Sequence, residues 1–234
     1  MKTTYAILAV FVLALLALAG CQQQANSVTV TGTYQMTVDP DQAEVYVGVS
    51  TLKPTAKEAQ DETNKAINAI IAGLKASGIN EKDIETQNLN LYENMIWEDN
   101  EYKSNGWKAD QMLKITTKDL TKVGAIVDAA VDNGANSIQG VSFSLSQDAE
   151  KAYKLQVIAK ATEDARAKAE TIASSLNTKL GKVKSFSESG YYYTPYRYDM
   201  VAGISMEKAV AEAANVQPQK VTVDATVTVE YYVG

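Results

Sequence analysis

The chain has one cysteine and no histidine, and that cysteine, Cys21, stands directly behind an apolar leader. Beyond it no disulfide can form, and no Cys/His zinc site, haem attachment or His-based catalytic triad can be built. Whatever folds after Cys21 must be held by an apolar core alone. Walker A, HExxH, EF-hand and strand-linked GxGxxG patterns are absent as well.

Lys2 is the only charge before Asp39, and Tyr5 to Gly20 is apolar or small throughout, 16 residues in all. That is short of the ~20 residues a membrane-spanning helix needs. A basic start, an apolar middle and a small-residue exit make a secretory signal. Leu18-Ala19-Gly20-Cys21 resembles the lipobox of prokaryotic lipoproteins, in which cleavage precedes the cysteine and its thiol takes a diacylglycerol. The expected organisation is a signal peptide over 1–20, a lipidated Cys21 with a polar spacer through 27, and a domain over 28–233. Fatty acyl chains such as palmitate would then hold the protein to the membrane on its extracytoplasmic side; two chains anchor stably where one does not. The alternative is a plain signal peptide with an incidental cysteine.

Without the leader, 21 basic residues face 28 acidic ones, a net charge of −7. An acidic body argues against nucleic acid, whose phosphates need a basic patch, and against docking on anionic lipid. With 214 residues left there is enough chain for a real core. No cofactor is implied. Glu98, Asp99 and Glu101 admit either a hard cation such as Ca²⁺ or, as the plainer reading, a solvated hairpin tip, so no metal site is assigned.

Val28 to Val38 alternates apolar and polar, as does Ala43 to Thr51; the turn residues Asp39-Pro40-Asp41 lie between, and the two strands are expected to pair as a hairpin. Thr55 and Glu58 form a capping box. The stripe Ala59, Thr63, Ala66, Ile67, Ile70 and Leu74 predicts a helix closed at Ser77-Gly78. Ile84 to Trp97 reads as a strand with a bulge between 86 and 89, Glu98 to Glu101 as a turn, and Trp107 to Thr117 as the partner strand. Asp119 caps a helix with the stripe Leu120, Val123, Val127, Ala130 and Val131, ended by Asn133-Gly134. A strand from Ile138 follows, irregular at Gln139-Gly140. The longest helix covers 148–176, with Leu155, Ile158, Thr162, Ala165, Ala169, Ile172 and Leu176 as its inner face. Next come a strand from Gly181, a tyrosine-rich loop, an Ala-rich helix (Met206 to Ala214) and a clearly alternating last strand from Val221 to Tyr231. Residues 65–91 and 118–145 share a weak helix–Gly–strand repeat. The pattern is α+β: a mostly antiparallel or mixed sheet with three main helices packed on it.

Several stretches together are similar to the SIMPL-domain family, a domain of unknown function. They are Thr31-Gly32-Thr33 to Val38, Pro40-Asp41, Ala43 to Val49, Lys82-Asp83-Ile84-Glu85-Thr86, Gly106-Trp107-Lys108-Ala109, the run Gly134 to Phe143 and the run Ala161 to Glu170. Gln219 after Pro218 departs from the Pro-Gly the family often has there. The resemblance implies an exported sheet-and-helix protein, assembled into large rings in some members. It also implies links to envelope and oxidative-stress phenotypes in bacteria and to kinase signalling in a eukaryotic member. It carries no catalytic residues.

Tyr191, Tyr192, Tyr193, Tyr196, Arg197 and Tyr198 are the one unusual surface composition. Tyr and Arg are enriched in binding hot spots, so the segment reads either as a partner contact or as an edge whose rings cover the sheet. Gly134-Ala135-Asn136 reads as a helix stop and turn before it reads as a site. The expected function is non-catalytic: a membrane-anchored extracytoplasmic lipoprotein acting by self-assembly or by binding an envelope protein. A small-ligand carrier or sensor, binding between helices and sheet, is the alternative.

Overall fold

A computed structural model describes residues 26–199 and 217–234. Its strands are β1 (Ser27–Val38), β2 (Gln42–Lys53), β3 (Ile84–Glu98), β4 (Glu101–Thr117), β5 (Ser137–Ser144), β6 (Leu180–Thr194), β7 (Tyr196–Asp199) and β8 (Val221–Val233). Its helices are α1 (Ala56–Ala76), α2 (Val123–Asp132) and α3 (Gln147–Ser175). One sheet has the order β1-β8-β6 and the other β3-β4-β2-β5-β7. The fold is α+β. No helix among the described residues is long and apolar enough to cross a membrane. The leader, Cys21 and the expected helix Met206 to Ala214 lie outside the described residues. The chain forms two compact units: residues up to 34, 158–190 and 225–234 in one, 35–157 and 191–224 in the other.

The larger unit is built on β2. Its odd-numbered residues Ala43, Val45, Val47 and Val49 are buried among Ile67, Ile70 and Leu74 of α1, Ile126 and Val127 of α2, and Val141 and Phe143 of β5. α1 starts as the sequence predicts: the Thr55 hydroxyl accepts from the Glu58 N–H at 3.3 Å and bonds the Glu58 carboxylate at 3.0 Å. Asp119 accepts from the Thr121 N–H at 3.1 Å and opens the turn into α2. The helix–Gly–strand repeat has a local cause. Gly78 and Gly134 both have positive φ, and in each case two amides fold back in the same pattern, Ile79 to Leu74 and Gly78 to Lys75, Ala135 to Ala130 and Gly134 to Val131. This is the left-handed helix stop that glycine tolerates.

β3 and β4 form a long ribbon closed by Asp99 (φ 50°) and Asn100 (φ 69°), the two positive-φ residues that a type I′ hairpin needs. The expected bulge falls between Thr86 and Asn88, and a second lies between Glu93 and Met95. β4 starts at Glu101, six residues before the predicted Trp107.

The expected β1–β2 hairpin is not formed: the two strands belong to different sheets. None of residues 39–41 has a positive φ, so the segment makes no tight hairpin turn. Its polar groups are used elsewhere. The Asp41 N–H donates to the Ser144 carbonyl at 3.2 Å, and the Asp41 carboxylate accepts from the Ser146 N–H and hydroxyl, both at 2.5 Å, at the start of α3.

The inner face of α3 differs in part from expectation. Ala165 and Ala169 of the expected face are buried, together with Val157, Ala161 and Ala173, whereas Leu155, Ile172 and Leu176 are exposed. At Ala161 and Ala165 the backbones approach too closely for large side chains: a Cβ added to Gly32 of β1 would lie 1.9 Å from the Ala161 carbonyl oxygen and 2.8 Å from the Ala165 Cβ. Alanine on the helix and glycine on the strand are what that spacing admits. Asp164 and Lys168, paired at 2.6 Å one turn apart on α3, also serve β1. Asp164 accepts from the Thr33 N–H at 2.8 Å, and Lys168 donates to the Thr31 carbonyl at 3.1 Å. These are backbone groups on the outer edge of the sheet, so a helix side-chain pair occupies the bonds a foreign strand would seek. Across the same sheet Glu230 accepts from Ser27, Lys184 and Ser185, and the Lys184 and Ser27 bonds hold its carboxyl down to about 2.

Gly32→Ala is therefore expected to cost about 1–3 kcal/mol through forced overpacking, measured as a lower urea midpoint with unchanged slope. A loss below ~0.5 kcal/mol would contradict the close approach.

Candidate functional site

The tyrosine-rich segment is not a loop. Residues 191–194 complete β6, Pro195 interrupts, and β7 pairs antiparallel with β5, Phe143 opposite Tyr196 and Gly140 opposite Asp199. Gly140 is required there, with φ at 149° and a would-be Cβ 2.3 Å from the Tyr198 carbonyl oxygen.

Strand alternation sorts the six singled-out residues. Tyr191 is half-buried; its phenol donates to Glu150 at 3.4 Å, and the Lys154 ammonium lies 5.0 Å from its ring centre. Burial, then the Glu150 charge, pushes its pKa up to about 12. The Tyr193 oxygen accepts from the Leu145 N–H at 2.6 Å, and burial again raises its pKa. Tyr196 stacks on Phe143 with centres 6.4 Å apart. Tyr198 is half-buried opposite Val141. Tyr192 and Arg197 face outward, Tyr192 at 64 % exposure. Arg197 pairs with Asp199 and sits 5.3 Å from the centre of the Tyr46 ring.

That last contact leads to residues sequence reasoning passed over. On the sheet face opposite the helices, one register row runs Glu85, Lys114, Tyr46, Gly140, Asp199 across β3, β4, β2, β5 and β7. Lys114 bonds Glu85 at 2.7 Å and lies 3.9 Å from Glu44, and the Tyr46 phenol donates to Glu44 at 2.7 Å. The Glu85 bond raises the Lys114 pKa, while burial first and Glu44 second push Tyr46 up to about 12. The polar alternation of β2 was visible in sequence, but the row depends on register, which no single strand encodes.

Chemically this face is a charged, hydrogen-bonded surface with the Tyr46 phenol held protonated. Among the described residues no three His, Cys, Asp or Glu side chains converge to hold a metal. At the ribbon tip Asp99 and Glu101 both lie within ion-pair reach of Lys103, at 2.5 and 3.7 Å. Asn136, inside the Gly134 to Asn136 stretch, bonds the Ser50 N–H and carbonyl at 2.7 and 2.8 Å and so ties β2 to the loop before β5.

Phenols whose folded pKa lies above the ordinary 10 contribute stability that is complete below pH ~10 and lost as pH rises toward 12. A phenolate absorbance titration is expected to show a late-ionising group lost in Tyr46→Phe; full ionisation of the folded protein by about pH 10.5 would contradict the burial described. Tyr193→Phe is expected to cost about 1–3 kcal/mol by orphaning the Leu145 N–H, and Tyr192→Ser less than ~0.5.

The SIMPL family model, described as a protein of unknown function (DUF541), matches residues 28–231. The chain is similar to the 26 kDa periplasmic immunogenic protein of Brucella melitensis, at 30 % identity over 70 % of this chain and 67 % of that one. It is also similar to the uncharacterized protein YggE of Escherichia coli K12, at 26 % identity over 86 % and 85 %. A third relative is the interleukin-1 receptor-associated kinase 1-binding protein 1 homolog of Xenopus laevis, at 23 % over 69 % and 62 %. With nearly the whole stretch after Ser27 matched, the chain belongs to the SIMPL family.

Proposed function

We propose that the protein is an extracytoplasmic lipoprotein, anchored through Cys21, that acts without catalysis by assembling with copies of itself or binding an envelope protein. The observation that carries this reading is the β3–β4 ribbon. β4 pairs with β2 only from Trp107 onward, so residues 94–106 run past β2 as a two-stranded arm. Leu89, Leu91, Met95, Ile96, Trp97 and Tyr102 on the ribbon are all exposed, a concentration of apolar surface that marks an interaction site. β3 is a sheet edge of 15 residues without Lys, Arg or Pro, the residues that usually blunt such edges. The leader and Leu18-Ala19-Gly20-Cys21 support export and anchoring, and the name of the Brucella relative, a periplasmic protein, supports the periplasmic side.

Labelled palmitate is expected to incorporate into the full chain and not into Cys21→Ser, and the detergent-solubilised protein is expected to have a native mass of several copies. Absence of label would overturn the anchor. A strictly monomeric mass with no captured envelope partner would overturn the mode of action.

A further inference from the structure

The two ends of the β3–β4 ribbon carry opposite charge. At the tip Glu98, Asp99 and Glu101 stand against one lysine, Lys103, a net −2. At the root lies a polar cleft of about 420 Å³ between the stop of α1 and the end of β4, lined among others by Lys82, Lys118 and Lys122 against Asp83, a net +2. Among the described residues none of these three lysines has a carboxylate within 4 Å, whereas Lys53, Lys57, Lys75, Lys103, Lys114 and Lys168 all do. In a chain whose acids outnumber its bases, three ammonium groups around one concavity, none in a close ion pair and offset only by Asp83 in the lining and Asp119 near Lys122, attract an anion from outside.

We infer that this lysine cleft receives the acidic β3–β4 tip of a second copy of the chain. Within one copy the match cannot close. Tip and root are separated by the ribbon itself, from the pair Ile84–Ile115 to the pair Glu98–Glu101, roughly 45 Å at ~3.3 Å per residue. The contact is therefore head-to-tail, joining two different surfaces, and repeats around a ring or along a filament. The tip is built for docking: the type I′ turn at Asp99-Asn100 fixes its shape, and Trp97 and Tyr102 stack edge to face at 4.8 Å just behind the acids, 60 % and 70 % exposed. Charge would set the register, and the aromatic pair would supply buried area around it.

This inference rests on the self-assembly reading, and a charge-swap experiment separates the two. The full chain in non-ionic detergent is compared with Lys118→Glu/Lys122→Glu, with Glu98→Lys/Glu101→Lys, and with the combined fourfold variant. All four positions are exposed, and Lys122 precedes α2, where a carboxylate is favoured. Sedimentation is expected to show association at least about tenfold weaker in each double variant, and restored in the fourfold one. Wild-type association is expected to weaken as salt rises from about 0.05 to about 0.5 M. A wild type that is monomeric at every concentration would overturn the assembly reading and this contact with it. An assembled wild type whose double variants associate equally well, or whose fourfold variant is not rescued, would overturn this contact alone. In that last case, loss confined to the lysine variant would point to a small anion in the cleft instead.

Discussion

The larger unit depends on the burial of one face of β2. Ala43, Val45, Val47 and Val49 are at most 3 % exposed, and the strand is bonded to β4 on one side and β5 on the other. Each buried valine contributes on the order of 1.5–3 kcal/mol relative to exposure, and none of it is reinforced by a disulfide or bound metal in the Cys/His sense. The pairing with β4 from Trp107 to Thr117 holds the ribbon's root, and the pairing with β5 places β7, and with it Arg197, over Tyr46. The charged row across the open face follows from that same register.

The two units treat their sheet edges in opposite ways. In the smaller one, the β1 edge is capped by Asp164 and Lys168, which take the Thr33 N–H and the Thr31 carbonyl. Close packing through Gly32 and the alanines of α3 brings the helix within reach. In the larger one, β3 carries no basic residue or proline and keeps large apolar side chains in solvent. Its bulges at 86–88 and 93–95 and its carboxylates Glu85, Glu93 and Glu98 are the protection it carries. One edge is thus guarded by an ion pair, and the other is long, rich in exposed apolar side chains and open to the pairing proposed above.

Much of the fold was legible because its signals are local. Strand alternation in β1, β2 and β8, the cap at Thr55, the stops at Gly78 and Gly134, and the bulge after Thr86 each depend on a few neighbouring residues. Three features were not fully legible. The face of α3 was legible at Ala165 and Ala169 but not at its large residues: leucine and isoleucine mark a core only where there is room, and opposite Gly32 the helix presents alanine. The β1–β2 hairpin was inferred from adjacency, but Asp41 spends its hydrogen bonds on the start of α3. The tyrosine segment reads as irregular when taken alone, because its strand character comes from partners on β5 that are about 50 residues away. Of the candidate site, composition pointed to the tyrosines and Arg197, while Glu44, Tyr46, Lys114 and Glu85 emerged only once register brought them together.

The central claim is that β2 is the fixed interior of the larger unit and the β3–β4 arm its open, partner-seeking part. Hydrogen exchange of the full chain at low and at high protein concentration tests this most directly. We expect the amides of 43–49 to be the slowest of that unit at both concentrations, and those of 93–104 to exchange quickly when dilute and slowly when concentrated. Fast exchange in β2, or an arm whose exchange is indifferent to concentration, would contradict it.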